Sequence, residues 1–160
     1  MYTLQSEFGL TERVAGSGSV VFTTVNWDAQ FNKLKNLSAQ AKVLALIRDD
    51  LANYRYVPGE QPPGWLKGPL GHTNGVFELK TEGARPYGRF IGYDGDNRSI
   101  FVFDTIEYKP KDAKTNTKLA KQAADTIQAM VERWPAIVTA SKAASAGPID
   151  LDRWRKKRKG

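Results

Sequence analysis

The chain has 160 residues, a formal net charge of +7, 41% apolar residues, no cysteine and one histidine. That length fits one domain with room for a hydrophobic core, and the missing cysteines exclude a disulfide scaffold, a thiol nucleophile and any cysteine-based zinc site. A lone histidine excludes a histidine-cluster metal site, so no metal and no cofactor is expected.

The positive charge is unevenly spread. Residues 135 to 160 hold seven basic and two acidic side chains, which leaves residues 1 to 134 nearly neutral with a surplus of only two. Most of the excess is the run Arg153-Trp154-Arg155-Lys156-Lys157-Arg158-Lys159. Such a run binds phosphate by counterion release or is simply a solvated end. No stretch approaches the length of apolar chain that spans a bilayer, and residues 1 to 18 carry no leader-like pattern. The expectation is a soluble cytoplasmic protein with no membrane partner.

In chain order, residues 1 to 18 are weakly patterned and end in Ala15-Gly16-Ser17-Gly18, a flexible-linker composition. They read as an N-terminal extension. Residues 19 to 134 read as the domain, and residues 135 to 160 as a C-terminal extension with a basic tail. Val20 to Val25 is rich in β-branched residues and predicts a strand. Asp28 can cap a short helix with Phe31, Leu34 and Leu37 on one face. Ser38 can cap a second helix reaching about Tyr54, with Val43, Leu44, Ile47 and Leu51 as its inward stripe.

A proline-rich loop follows, and then strand-like runs at Gly75 to Thr81, Tyr87 to Tyr93 and Ser99 to Glu107. Asp94-Gly95-Asp96-Asn97 suits a tight hairpin, and Glu82 to Pro86 reads as the turn before it. A helix over 113 to 134 closes the pattern with Leu119, Ala123, Ile127, Met130 and Trp134. Two consecutive helices hide one face of such a sheet, so the other face is expected to be partly open.

Side chains alternate along a strand. With Phe77, Leu79, Phe90, Phe101 and Phe103 inward, Glu78, Lys80, Tyr87, Arg89, Ile91 and Tyr93 fall on the open face, with Arg85 and Lys109 at its rim. Gly88 and Gly92 signal a bulge that would change this parity. On spacing alone the set is a cross-strand ion pair on a solvated face. His72, in a glycine-rich loop, reads as a turn residue before a catalytic acid.

The succession Leu66-Lys67-Gly68, Gly75 to Lys80, Arg89, Lys109 to Lys111 and Leu119-Ala120-Lys121 resembles the RelE/HigB-like toxins of bacterial type II toxin–antitoxin systems, in particular their phage-derived HigB-like branch. The resemblance spans residues 20 to 131. It implies an α+β, RelE/ParE-like fold: a small antiparallel sheet of about four strands, two N-terminal helices and a C-terminal helix. It also implies an endoribonuclease that cuts messenger RNA, generally on the ribosome, and is neutralised by a cognate antitoxin. Cleavage asks for a base at the 2′-hydroxyl, stabilisation of the phosphorane and a proton for the leaving oxygen.

On that resemblance Arg89 would grip the scissile phosphate and Lys80 would add charge. Glu78 would be the general base, and Lys109 would belong to the second basic cluster. Lys67, Arg85, Lys111, Arg155 and Lys156 would contact RNA. The acidic stretch Asp104 to Glu107 would repel phosphate. It favours the alternative of a non-catalytic relative, a gyrase-type inhibitor or phage accessory protein. A third reading is an architectural nucleic-acid binder working through the tail, where Trp154 would stack on bases.

Overall fold

Two neighbouring strands, apolar on both faces, form the middle of the molecule. In the computed structural model, which describes residues 8–71, 73, 75–109 and 114–140, these are β2 (Ser19–Thr23) and β6 (Ser99–Lys109). They pair in parallel, Val20 opposite Ile100 and Phe22 opposite Val102. Around them stand β1 (Thr11–Ala15), β3 (Leu66–Lys67), β4 (Val76–Leu79) and β5 (Gly83–Tyr93). The sheet order is β1-β2-β6-β5-β4-β3, and every pair other than β2–β6 is antiparallel.

The fold is α+β, but the expected small antiparallel sheet of four strands with two N-terminal helices is corrected to a six-stranded mixed sheet with, among the described residues, three helices, one of them C-terminal. Two of the strands carry little sequence signal. β1 is an edge strand whose side chains are exposed or half-buried, so it lacks the alternation of a strand with one wet face. β3 has only two residues.

The segment read as a flexible linker is a packed hairpin turn. The Gly18 amide donates to the Ala52 carbonyl at 2.8 Å, and the Ser17 and Ser19 hydroxyls reach Asn53 and the Tyr54 carbonyl. A Cβ on Gly18 would lie 2.6 Å from the Tyr54 carbonyl carbon, so the glycine serves close backbone approach rather than flexibility.

Helix α1 (Val25–Asn32) is capped by Thr24, whose side chain accepts from the Trp27 amide, rather than by Asp28. Asp28 lies in the first turn and instead holds Arg13 of β1 at 2.6 Å. Helix α2 (Leu37–Ala45) is capped by Asn36 instead of Ser38, and a π-turn (Leu46–Asp50) and a 3-10 turn (Leu51–Asn53) carry the chain on. These helices cover one face of the sheet, where Trp27, Phe31, Val43, Ile47 and Leu51 pack on Val21, Phe77, Leu79, Phe101 and Phe103. Each such fully buried apolar side chain contributes about 1.5–3 kcal/mol.

The opposite face is closed as well, which overturns the expectation of an open one. Helix α3 (Thr117–Ala140) lays Ala120, Ala123 and Ala124 on Val76 and Tyr87, and Ile127 and Met130 on Val20, Phe22, Ile100 and Val102. The molecule is a three-layer α/β/α sandwich.

The β5–β6 hairpin turns where expected, with Asn97 at φ 64 and the Asp94 carboxylate accepting from the Asp96 and Arg98 amides. The turn before β5 is tighter than expected. Thr81 bridges Ala84, and Pro86 lies inside β5 opposite Ile106. The pairing of β5 with β4 runs from Tyr87, opposite Glu78, one residue past the proline.

Candidate functional site

β4 and β5 bring Glu78, Tyr87 and Arg89 to one face, with Glu78 opposite Tyr87 and Val76 opposite Arg89. That placement follows the alternation, and Ile91 joins them against α3. A bulge between Phe90 and Gly92 returns Tyr93 to the other face, where its hydroxyl donates to the Tyr56 carbonyl at 2.7 Å.

Arg85 is no rim residue. The tight turn sets it inside β5, where it and Glu78 are each 2% exposed, and its Nε lies 3.2 Å from Glu78 Oε2. Arg85 also donates to the Thr81 carbonyl, and to that of Ala84 at 3.3 Å. The second Glu78 oxygen accepts from the Thr115 hydroxyl at 2.8 Å. The Tyr87 hydroxyl accepts from the Asn116 amide, while Asn116 Nδ2 donates to Glu107. Burial pushes the Tyr87 phenol up to about 12. Lys67 touches this cluster only from outside, its Nζ 3.3 Å from the Thr115 hydroxyl. The cluster therefore pins the residues before α3 to the sheet. A general base must reach a substrate proton, and this carboxylate has both oxygens engaged in a sealed site.

Arg89 is half-buried under α3. One terminal nitrogen donates to Gln128 Oε1 at 2.8 Å and its Nε makes no hydrogen bond. Burial lowers its pKa by disfavouring the charged form.

Lys80 lies just past the end of β4, so alternation does not reach it. It is exposed in a separate shallow cleft with Lys42, Asp49, Asp50 and Glu82. The backbone of Lys109 pairs with Gly83. Lys111, Arg155, Lys156, His72 and Trp154 lie outside the described residues. The expected catalytic set is thus divided, with Glu78 locked, Arg89 under a helix and Lys80 elsewhere. Among the described residues no group of acids or histidines could hold a metal, and no helix is long and apolar enough to cross a membrane.

The open concavity lies on the other side, between the α1–α2 connection and the end of β6. It is a groove of about 890 Å³ lined by Lys33, Leu34, Lys35, Asn36, Leu37, Ser38 and Tyr108. Leu37 is 76% exposed and Tyr108 60% exposed. Leu37 was expected on the inward stripe with Phe31 and Leu34, but α1 ends at Asn32, and the spacing does not carry across the break. A smaller hollow of about 230 Å³ adjoins, sharing Asn36, Ser38 and Tyr108 and adding Lys42, Glu82 and Gly83. Sequence reasoning passed over this site. Its one signal was the Lys33-Leu34-Lys35 alternation just past a helix end.

Comparison of the chain with protein-family models, curated proteins and solved structures gave no match.

Proposed function

We propose that this protein is a non-catalytic binding module that receives a partner in the groove beside Tyr108, and that it acts in the cytoplasm. One observation carries the reading: Leu37 and Tyr108 stand exposed together in one concave groove flanked by Lys33 and Lys35. A single exposed leucine is ordinary, but apolar groups gathered in a concavity with a few charges are the usual makeup of a binding site. The disposition of the acid–base set expected for RNA cleavage counts against a nuclease. Glu78 is spent on Arg85 and Thr115, and Lys80 stands apart from Arg89.

A second reading, the ribosome-dependent messenger-RNA endonuclease neutralised by an antitoxin, is favoured by Arg89 alone. Among the described residues the hydrogen-bond partner of this half-buried guanidinium is a neutral amide, and a phosphodiester would supply an anion to face it. The deciding experiment is induced expression in a bacterial host with mapping of messenger-RNA 5′ ends, wild type beside Arg89→Ala. The binding reading expects the same 5′ ends in both. New cuts in translated messages that vanish in the variant would overturn it in favour of the nuclease.

A further inference from the structure

We infer that the groove beside Tyr108 takes an acidic, amphipathic helix of another protein. The inference rests on the binding reading above and supplies its partner. Three properties of the groove lead there, beginning with charge. Every charged side chain among the described lining residues is a lysine, and neither Lys33 nor Lys35 forms an ion pair with a described acid. Glu82, the acid of the adjoining hollow, is engaged by Lys42 at 3.0 Å. Asn36, Leu37 and Ser38 are the cap and first residues of α2, so the positive end of that helix dipole faces the same space. A partner seated there must bring negative charge.

The second property is the apolar chemistry. Leu34 is buried at the site, and Leu37 and Tyr108 offer exposed apolar surface. Aliphatic groups give no flat face for a base, and a single-stranded nucleic acid wants successive aromatic platforms where this groove has one tyrosine. Leucine-type anchors fit instead.

The third is shape. A concavity of about 890 Å³ that gathers buried Leu34 and exposed Leu37 and Tyr108 beside Lys33 and Lys35 suits the mode in which an amphipathic helix lays anchors at i, i+4 and i+7 into a groove. The lysines at the edge would then meet acidic residues flanking the anchors, adding on-rate and register more than affinity.

The test uses the full chain and amide-resolved nuclear magnetic resonance. Three probes are added: a synthetic peptide of about 18 residues with leucines at helical anchor spacing and glutamates elsewhere, the same peptide with lysine for glutamate, and an oligouridylate. The glutamate peptide is expected to shift the amides of residues 33 to 38 and Tyr108 with a Kd below about 1 mM. Leu37→Asp, or Lys33→Glu with Lys35→Glu, should weaken it about tenfold or more. All three side chains are exposed, so the variants should melt like the wild type.

Equal binding of the lysine peptide would overturn the inference. If only the oligouridylate moves the groove amides, the partner is a nucleic acid; the inference fails and the binding reading stands. If neither ligand moves them, both fail.

Discussion

At the scale of single residues, two buried acids behave in opposite ways. Glu78 and Arg85 neutralise each other where both side chains are 3% exposed. A pair like this adds little net stability, because desolvation offsets the attraction, yet breaking it leaves a charge stranded. Glu78→Gln is therefore expected to cost about 3–5 kcal/mol in denaturant unfolding, and replacing both residues by apolar ones should recover most of that. A Glu78→Gln protein of wild-type stability would show that the pair is not sealed.

Asp104, buried in β6, has no ion-pair partner among the described residues. Its Oδ1 accepts from the Thr24 hydroxyl at 2.7 Å and its Oδ2 makes no hydrogen bond. Burial pushes its pKa above the ordinary 3.8, with the Thr24 hydrogen bond opposing. The folded carboxyl thus holds its proton more tightly than the unfolded one. Stability from this group is greatest below pH 3.8 and declines as pH rises through the folded pKa. Asp104→Asn should remove that decline, so thermal melts across this pH range should show the variant gaining on the wild type as pH increases. A parallel pH profile for the two proteins would count against a protonated, buried Asp104.

Among elements, those with an unmistakable period were legible in the sequence. The β4, β5 and β6 runs and their hairpin carry alternation and turn residues, and the placing of Glu78, Tyr87 and Arg89 on one face followed from alternation alone. The weak-signal elements were not legible. β1 has no buried side chain, and β3 is too short to show a period. The stripe of α3 was readable as Leu119, Ala123, Ile127 and Met130, but the face it would cover was not, because helix-to-sheet docking depends on connections that periodicity does not encode. That one missing fact turned an expected open site into a sealed one.

The same reasoning makes β1 testable as an element. It protects the edge of β2, whose five residues are all buried, and ties to α1 through Arg13 and Asp28. Deleting residues 1 to 18 should therefore expose a paired edge, forfeit the buried Leu10 and cost more than about 3 kcal/mol. The expected readout is loss of soluble, monodisperse protein on size exclusion. A deletion that stays soluble with its melting temperature intact would support reading the segment as an extension.

For the whole molecule, the charge and the groove lie apart in sequence. The tail carries most of the surplus charge, while the described body offers a concave apolar site edged by lysines. A three-layer sandwich covered on both faces leaves the groove proposed above at the rim, where helix α2 begins and β6 ends. Tyr108 belongs to that rim because β6 outruns β2 by several residues, which carries this side chain past the core.

The parallel pairing of β2 with β6 also governs how the chain can fold as it is made. The contact that joins the two halves, Thr24 with Asp104, spans 80 residues. At ribosomal speeds that is a wait of about 4–16 s between the emergence of β2 and the arrival of its partner strand. During this interval the β1–β2 hairpin has its inner edge bare, and Val20, Val21 and Phe22 have neither β6 nor α3 to cover them. The β4–β5–β6 meander, by contrast, is local and can pair as soon as it is complete. The nascent protein therefore passes through a stage with a sticky N-terminal hairpin. Slow codons after residue 23 would lengthen that exposure, and slow codons after residue 109 would give the meander time to capture the hairpin before α3 seals the second face.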